Sequence, residues 1–159
     1  MPGKQRHSEK NTAIDDIDRK ILLALCADGR ISFCELGQRV YLSPNAVSER
    51  VRRLRLTGII RGIYGSLDTR SLGLTVEAYI DVKLQTGIST QQFEAAAMKL
   101  PGVLSIAIVT GLFDGRLRVA CRDQAELHAL VETLRAQAGA KETNTTAILR
   151  EVETRNCRL

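Results

Sequence analysis

The sequence predicts an α+β chain of two domains, a helical one followed by a mixed one. Three observations predict it. Up to about residue 58 the apolar residues recur at helical spacing, whereas from Val76 they alternate with polar ones. A polar stretch, Leu67 to Leu74, separates the two rhythms. Charge divides at the same place. Residues 1–65 hold 12 Lys/Arg against 7 Asp/Glu and residues 66–159 hold 11 of each, so the net charge of +5 lies wholly in the first part.

Residues 1–13 are polar and aperiodic, which predicts a disordered basic arm. A first helix follows from Asp15 to Ala27. Ile17, Ile21, Leu22, Leu25 and Cys26 form its apolar face, Asp15, Asp16 and Asp18 suit the positive end of its dipole, and Gly29 ends it. Ser32 with Glu35 predicts a capping box for a second helix, which points Leu36 and Val40 inward. The chain breaks at Tyr41-Leu42. Ser43 then caps a third helix with Pro44 in its first position, where a missing N–H costs nothing, and Gly58 closes it. Residues 59–66 read as a strand. Residues 14–66 are thus one predicted domain and residues 67–74 a linker.

In the predicted second domain, residues 75–153, a strand runs over Val76, Ala78, Ile80, Val82 and Leu84. Ser89 with Gln92 opens a helix that runs through Leu100. Pro101-Gly102 turns the chain into a strand over Val103–Val109. The loop Thr110 to Gly115 leads to a strand in which Leu117, Val119 and Cys121 alternate. Asp123 with Glu126 caps a helix bearing Leu127, Leu130, Val131 and Leu134, which Gly139 ends. Thr143 to Val152 is the last strand, and residues 154–159 form a tail. The order β-α-β-β-α-β predicts a ferredoxin-like antiparallel sheet with both helices on one face. That fold hosts many functions and assigns none.

Bulk properties narrow the function. No run of ~18 apolar residues is present to span a membrane, and the polar N-terminus lacks a signal peptide's apolar core, so a cytoplasmic location is expected. Cys26, Cys34, Cys121 and Cys157 are scattered. They are expected to be reduced thiols, with Cys26 and Cys121 filling core positions as small hydrophobes. No metal cluster, nucleophile elbow or phosphate loop supports an enzyme or a cofactor.

The third helix carries the strongest functional signal. At ~100° per residue, Val47, Val51 and Leu54 share one side and must pack inward. Opposite them lie Asn45, Ser48, Glu49 and Arg52. A short helix, a tight break and a second helix with such a face predict a helix-turn-helix that reads double-stranded DNA in the major groove. Arg52 suits guanine, Asn45 adenine, and Glu49 can accept from cytosine. Ser43 stands at the helix start. Arg50, Arg53 and Arg55 flank the reading face and suit phosphates, and the local positive charge supplies salt-dependent attraction.

The segments DDIDRKILLALCADGRIS, ELGQRVYLSPNAVSERVRRLRLTGII, and LPGV followed by TGLFDGRL resemble the leucine-responsive and asparagine-responsive (Lrp/AsnC) regulators, from about Asp15 to Val152. The resemblance implies a winged-type helix-turn-helix linked to a ligand-sensing domain of the order derived above. It implies homo-oligomers: dimers formed through the sheets, assembling into octamers of four dimers that wrap DNA in the nucleoid. It further implies a small-molecule effector, usually an amino acid, bound between dimers. Carried over by position, Thr110, Gly111, Leu112, Phe113 and Asp114 form the effector loop, with Asn144, Ala147 and Ile148 supplied by a neighbouring subunit. Backbone N–H groups in a Gly-containing loop can hold a carboxylate, and Asp114 can accept from an ammonium.

Three departures from the family pattern bear on these expectations. Tyr41 stands where Gly is frequent, and a positive φ disfavours Tyr, so the break is expected to take another shape. Gly115 replaces a frequent aromatic residue and is expected to open the pocket. Asn144 stands where a basic residue occurs. The last two leave an alternative, a DNA-organising oligomer without an effector.

Overall fold

The computed structural model describes residues 13–152, so the predicted tail and residues 1–12 of the predicted arm lie outside the described residues. These residues form two compact units, one ending at Ser66 and one spanning Leu67–Val152.

The first unit holds three helices, α1 (Asp16–Ala27), α2 (Phe33–Val40) and α3 (Pro44–Leu56). Each begins at a side-chain cap, Asp15, Ser32 or Ser43, that accepts a backbone N–H of the first turn. The box predicted at Ser32 is only half formed. Glu35 turns its carboxylate to Arg39, 2.7 Å away, rather than back to the cap. Ile21, Ile31, Leu36, Val40, Val47 and Val51 make one core, joined by the half-buried Ile17, Leu25, Leu42 and Ile60. Cys26 is exposed and disulfide-bonded, neither a core residue nor a reduced thiol, whereas Cys121 is buried and free.

The strand predicted at residues 59–66 does not form. Gly58 takes φ 76° and the Ile60 amide donates to the Leu54 carbonyl at 3.0 Å, closing α3. Beyond it the segment finds no neighbouring strand among the described residues, and extended backbone without a ladder is not a strand.

The second unit opens on an ordered turn rather than a loose linker. The Leu72 and Leu74 amides both donate to the Thr69 carbonyl. Then follow β1 (Val76–Leu84), α4 (Thr90–Ala97), β2 (Val103–Ile108), β3 (Gly115–Cys121), α5 (Gln124–Gln137) and β4 (Ala140–Ala147). The sheet order is β2-β3-β1-β4, with every neighbouring pair antiparallel. The predicted ferredoxin-like arrangement is present.

Ala78, Ile80 and Val82 of β1 and Leu117, Val119 and Cys121 of β3 pack against Phe93 and Ala97 of α4 and Leu130 and Leu134 of α5. β4 starts three residues earlier than predicted and ends five earlier. Gly139 turns at φ 76°, so the chain enters the sheet directly at Ala140 opposite Leu84. The polar run Lys141 to Thr146 gives no apolar alternation to mark the start.

Candidate nucleic-acid interface and effector loop

Helix α3 buries Val47, Val51 and Leu54 and exposes Asn45, Glu49, Arg52 and Arg55, with Ser48 half-buried. Ser43 accepts the Ala46 amide at 3.2 Å, which fixes where the helix begins. Glu49 and Arg52 pair with each other, Arg52 Nε lying 3.0 Å and Nη2 2.5 Å from the carboxylate. Each side chain favours the charged form of the other, so the Glu49 carboxyl sits below its usual range. The guanidinium fork that suits guanine is therefore turned to Glu49 in the free chain.

Arg50 and Arg53 are placed differently from the phosphate-facing reading of the sequence. Arg50 Nη1 donates to Asp15 at 2.6 Å and to Asp18 at 2.9 Å, and Arg53 Nη2 donates to Asp18 at 2.5 Å. Asp18 is fully buried. A carboxylate at that depth must be paired, and the two arginines are the partners at hand. The Asp15 carboxyl is held below its usual range, first by the Asp18 amide and then by Arg50. Sequence reasoning placed Asp18 among dipole-favoured acids. The signal it passed over is spacing: Asp18 stands three and four residues before Ile21 and Leu22, on the apolar stripe of α1.

The turn before α3 keeps a left-handed residue although that residue is Tyr. Tyr41 has φ 58° and ψ 42°, against the expectation of a differently shaped break. Its ring is 93% exposed, so bulk meets no obstacle. Next to it Gly37 is forced: a Cβ there would lie 2.5 Å from the Leu42 carbonyl oxygen.

In the second unit Thr110, Gly111, Leu112, Phe113 and Asp114 form the β2–β3 connection. Thr110, Gly111 and Leu112 are exposed, Phe113 and Asp114 half-buried, and Gly111 has φ 121°. Asp114 ties this loop to β1. Its amide donates to the Val82 carbonyl at 2.9 Å, and its Oδ2 accepts the Leu84 amide at 2.8 Å. Lys83 Nζ donates to the Leu112 carbonyl at 2.9 Å.

Gly115 does not open a pocket. A Cβ there would meet the Phe93 ring at 3.0 Å, so the core of the unit fills the space. Asn144 lies opposite Asp81. Ala147 lies opposite Ala78 and the Ile148 amide donates to Glu77, about 13 Å along β1 from the loop at ~3.3 Å per residue. One chain does not bring Ala147 and Ile148 to the loop, whereas Asn144 stands opposite the neighbour of the Val82 that holds Asp114.

The sheet face away from α4 and α5 is polar. Arg116 lies 2.6 Å from Asp81 and its guanidinium stands 5.6 Å from the Tyr79 ring centre. Arg118 lies 3.0 Å from Glu77 and 2.5 Å from Glu151. Among the described residues no group of His, Cys, Asp or Glu is gathered to hold a metal ion, and no helix is long and apolar enough to cross a membrane.

Residues 14–55 match the family model of the AsnC-type helix-turn-helix domain, and residues 77–156 that of the Lrp/AsnC ligand binding domain. The chain is 36% identical over 136 residues to the HTH-type transcriptional regulator Rv2324 of Mycobacterium tuberculosis, covering 86% of this chain and 92% of that protein. It is 36% identical over 146 residues to the leucine-responsive regulatory protein of Escherichia coli, covering 90% and 89%. Among solved structures it resembles the M. tuberculosis feast or famine regulatory protein Rv3291c complexed with L-methionine. That match has a TM-score of 0.84 and 30% identity, covering 89% of this chain and 96% of that one. The regulator NMB0573 of Neisseria meningitidis, also an L-methionine complex, matches with a TM-score of 0.79 and 30% identity, covering 89% and 94%.

Proposed function

The chain belongs to the Lrp/AsnC family of transcriptional regulators, and on that premise we propose how it reads DNA and what modulates it. Ser43, Asn45, Ser48, Glu49, Arg52 and Arg55 form the DNA-reading surface. The carrying observation is that α3 buries Val47, Val51 and Leu54 and turns Asn45, Glu49 and Arg52 to solvent. On meeting the right base pair, Arg52 exchanges the Glu49 carboxylate for guanine, and Glu49 is then free to accept from a cytosine amine. Genome-wide mapping of bound sites gives the motif. Arg52→Ala is then expected to weaken discrimination at one base pair by about 1–3 kcal/mol. Equal losses on specific and random duplexes would reduce Arg52 to a phosphate contact.

The effector is an α-amino acid, as in the two L-methionine complexes. Its site is the loop Thr110–Asp114, completed by Asn144, Ala147 and Ile148 of a neighbouring subunit in a homo-oligomer built from dimers, up to four of them. The separation of Ala147 and Ile148 from the loop within one chain supports a shared site. A ligand that prefers one assembly shifts the population toward it, and DNA affinity follows. The protein works where its DNA is, in the cytoplasm at the nucleoid. Melting the full chain with each amino acid in turn tests sensing, because a ligand bound to the folded state alone raises the transition.

A second reading is a DNA-organising oligomer without an effector. Two observations favour it: the Asp114 carboxylate is already engaged by the Leu84 amide, and Asn144 brings no charge. Broad DNA protection unchanged by any amino acid, with no melting shift, would select it.

A further inference from the structure

Asp18 lies in the first turn of α1, yet it has no exposed surface. Both of its oxygens are used across the gap to α3: Oδ1 accepts from Arg50 at 2.9 Å and Oδ2 from Arg53 at 2.5 Å. The frame behind it is closed. Its amide donates to Asp15 Oδ1 at 2.7 Å, and Asp15 Oδ2 takes Arg50 at 2.6 Å. Two tethers three residues apart on one helix restrain both its rotation and its axial position. At ~100° per residue they lie about 120° around α3 from the centre of Asn45, Ser48, Glu49 and Arg52. They therefore hold the helix from one side while it reads DNA with another. Base recognition needs such support, because a site works only when held within about 0.5 Å and 10–20° of its productive geometry.

We propose that Asp18 is the positioning residue of the DNA-reading helix, and that Arg50 and Arg53 are its tethers rather than phosphate contacts. This rests on the assignment of α3 as the reading helix. The assignment and the tethering predict different things about salt. Removing a side chain that neutralises one phosphate lowers the slope of log K against log salt by about 0.9. Removing a tether leaves the slope alone and lowers only the preference for the right sequence.

The test measures binding of the full chain to its mapped site and to a random duplex across a salt series. The variants are Asp18→Asn, Arg53→Gln, Arg52→Ala and Arg55→Gln. In Arg53→Gln the ratio of specific to random affinity is expected to fall about tenfold with the salt slope unchanged, and in Asp18→Asn, which frees two arginines, the ratio is expected to fall as far with the slope not reduced. Arg55→Gln should lower the slope by about 0.9. Should Asp18→Asn lose its helical circular dichroism, Arg53→Gln alone decides, since that side chain is half exposed. A slope reduced by about 0.9 in Arg53→Gln, or equal losses on both duplexes, overturns the proposal. If Arg52→Ala removes the preference and Arg53→Gln does not, only the tether role falls. If the wild type shows no preference, or Arg52→Ala leaves it intact, the reading of α3 falls and the tether role with it.

Discussion

Tyr41 holds the left-handed conformation that glycine takes without penalty, and it does so with an almost fully exposed ring. An L-residue there costs about 1–2 kcal/mol, and glycine gives back roughly 0.5–1 kcal/mol through the freedom it loses on folding. Tyr41→Gly is therefore expected to stabilise the helix-turn-helix by about 0.5–1 kcal/mol, read as a higher midpoint in denaturant. An unchanged or lowered midpoint would mean that the ring contributes packing. At Glu49 a different outcome is expected. Glu49→Ala removes an exposed negative charge and releases Arg52, so affinity for random duplex should rise while discrimination falls. A parallel fall on all DNA would show that Glu49 only supports the helix.

The three helices meet through particular close approaches, and Gly37 is the tightest. Gly37→Ala sets a methyl against the backbone oxygen of Leu42, which no rotamer change relieves. A loss of about 1–3 kcal/mol is expected, with DNA discrimination falling alongside as α2 and α3 part; urea unfolding and the duplex ratio measure the two. In the sheet unit Gly115→Tyr should destabilise by overpacking on Phe93, and Phe93→Ala should partly rescue it. A double-mutant cycle with no favourable coupling would place the new ring elsewhere.

These same elements show what the sequence discloses. Caps and apolar period located the helices of both units, because local hydrogen bonds and one-sided burial leave their mark on neighbouring residues. Residues 59–66 misled because a β-rich segment becomes a strand only when a partner lies beside it. β4 was displaced because its polar residues carry no alternation. The outward set on α3 was legible from the helical wheel. The diversion of Arg50 and Arg53 was not, because their acids come from α1, some 35 residues earlier in the chain.

At the scale of the sheet unit, acid sensitivity follows from Glu77. The Thr69 hydroxyl, and after it Arg118, holds this carboxyl below its ordinary value of 4.5. The folded pKa thus lies under the unfolded one, so the stabilisation is complete above about pH 4.5 and is lost as pH falls through the folded value. Glu77→Gln should melt lower than the parent at neutral pH, with the gap closing in acid; a gap independent of pH would assign the effect to packing alone. The order β2-β3-β1-β4 has a consequence in time as well. β1 lies between two strands that both come after it in the chain, and its last partner ends at Ala147. At about 5–20 residues per second on a ribosome, β1 waits roughly 3–13 s for β4 after it has itself been made. The core residues of the helical unit all lie between Ile17 and Ile60, so they are made first. For those seconds the nascent protein carries the core of its DNA-binding head and a β1 whose β4 edge has no partner. That interval is when a chaperone has most to protect.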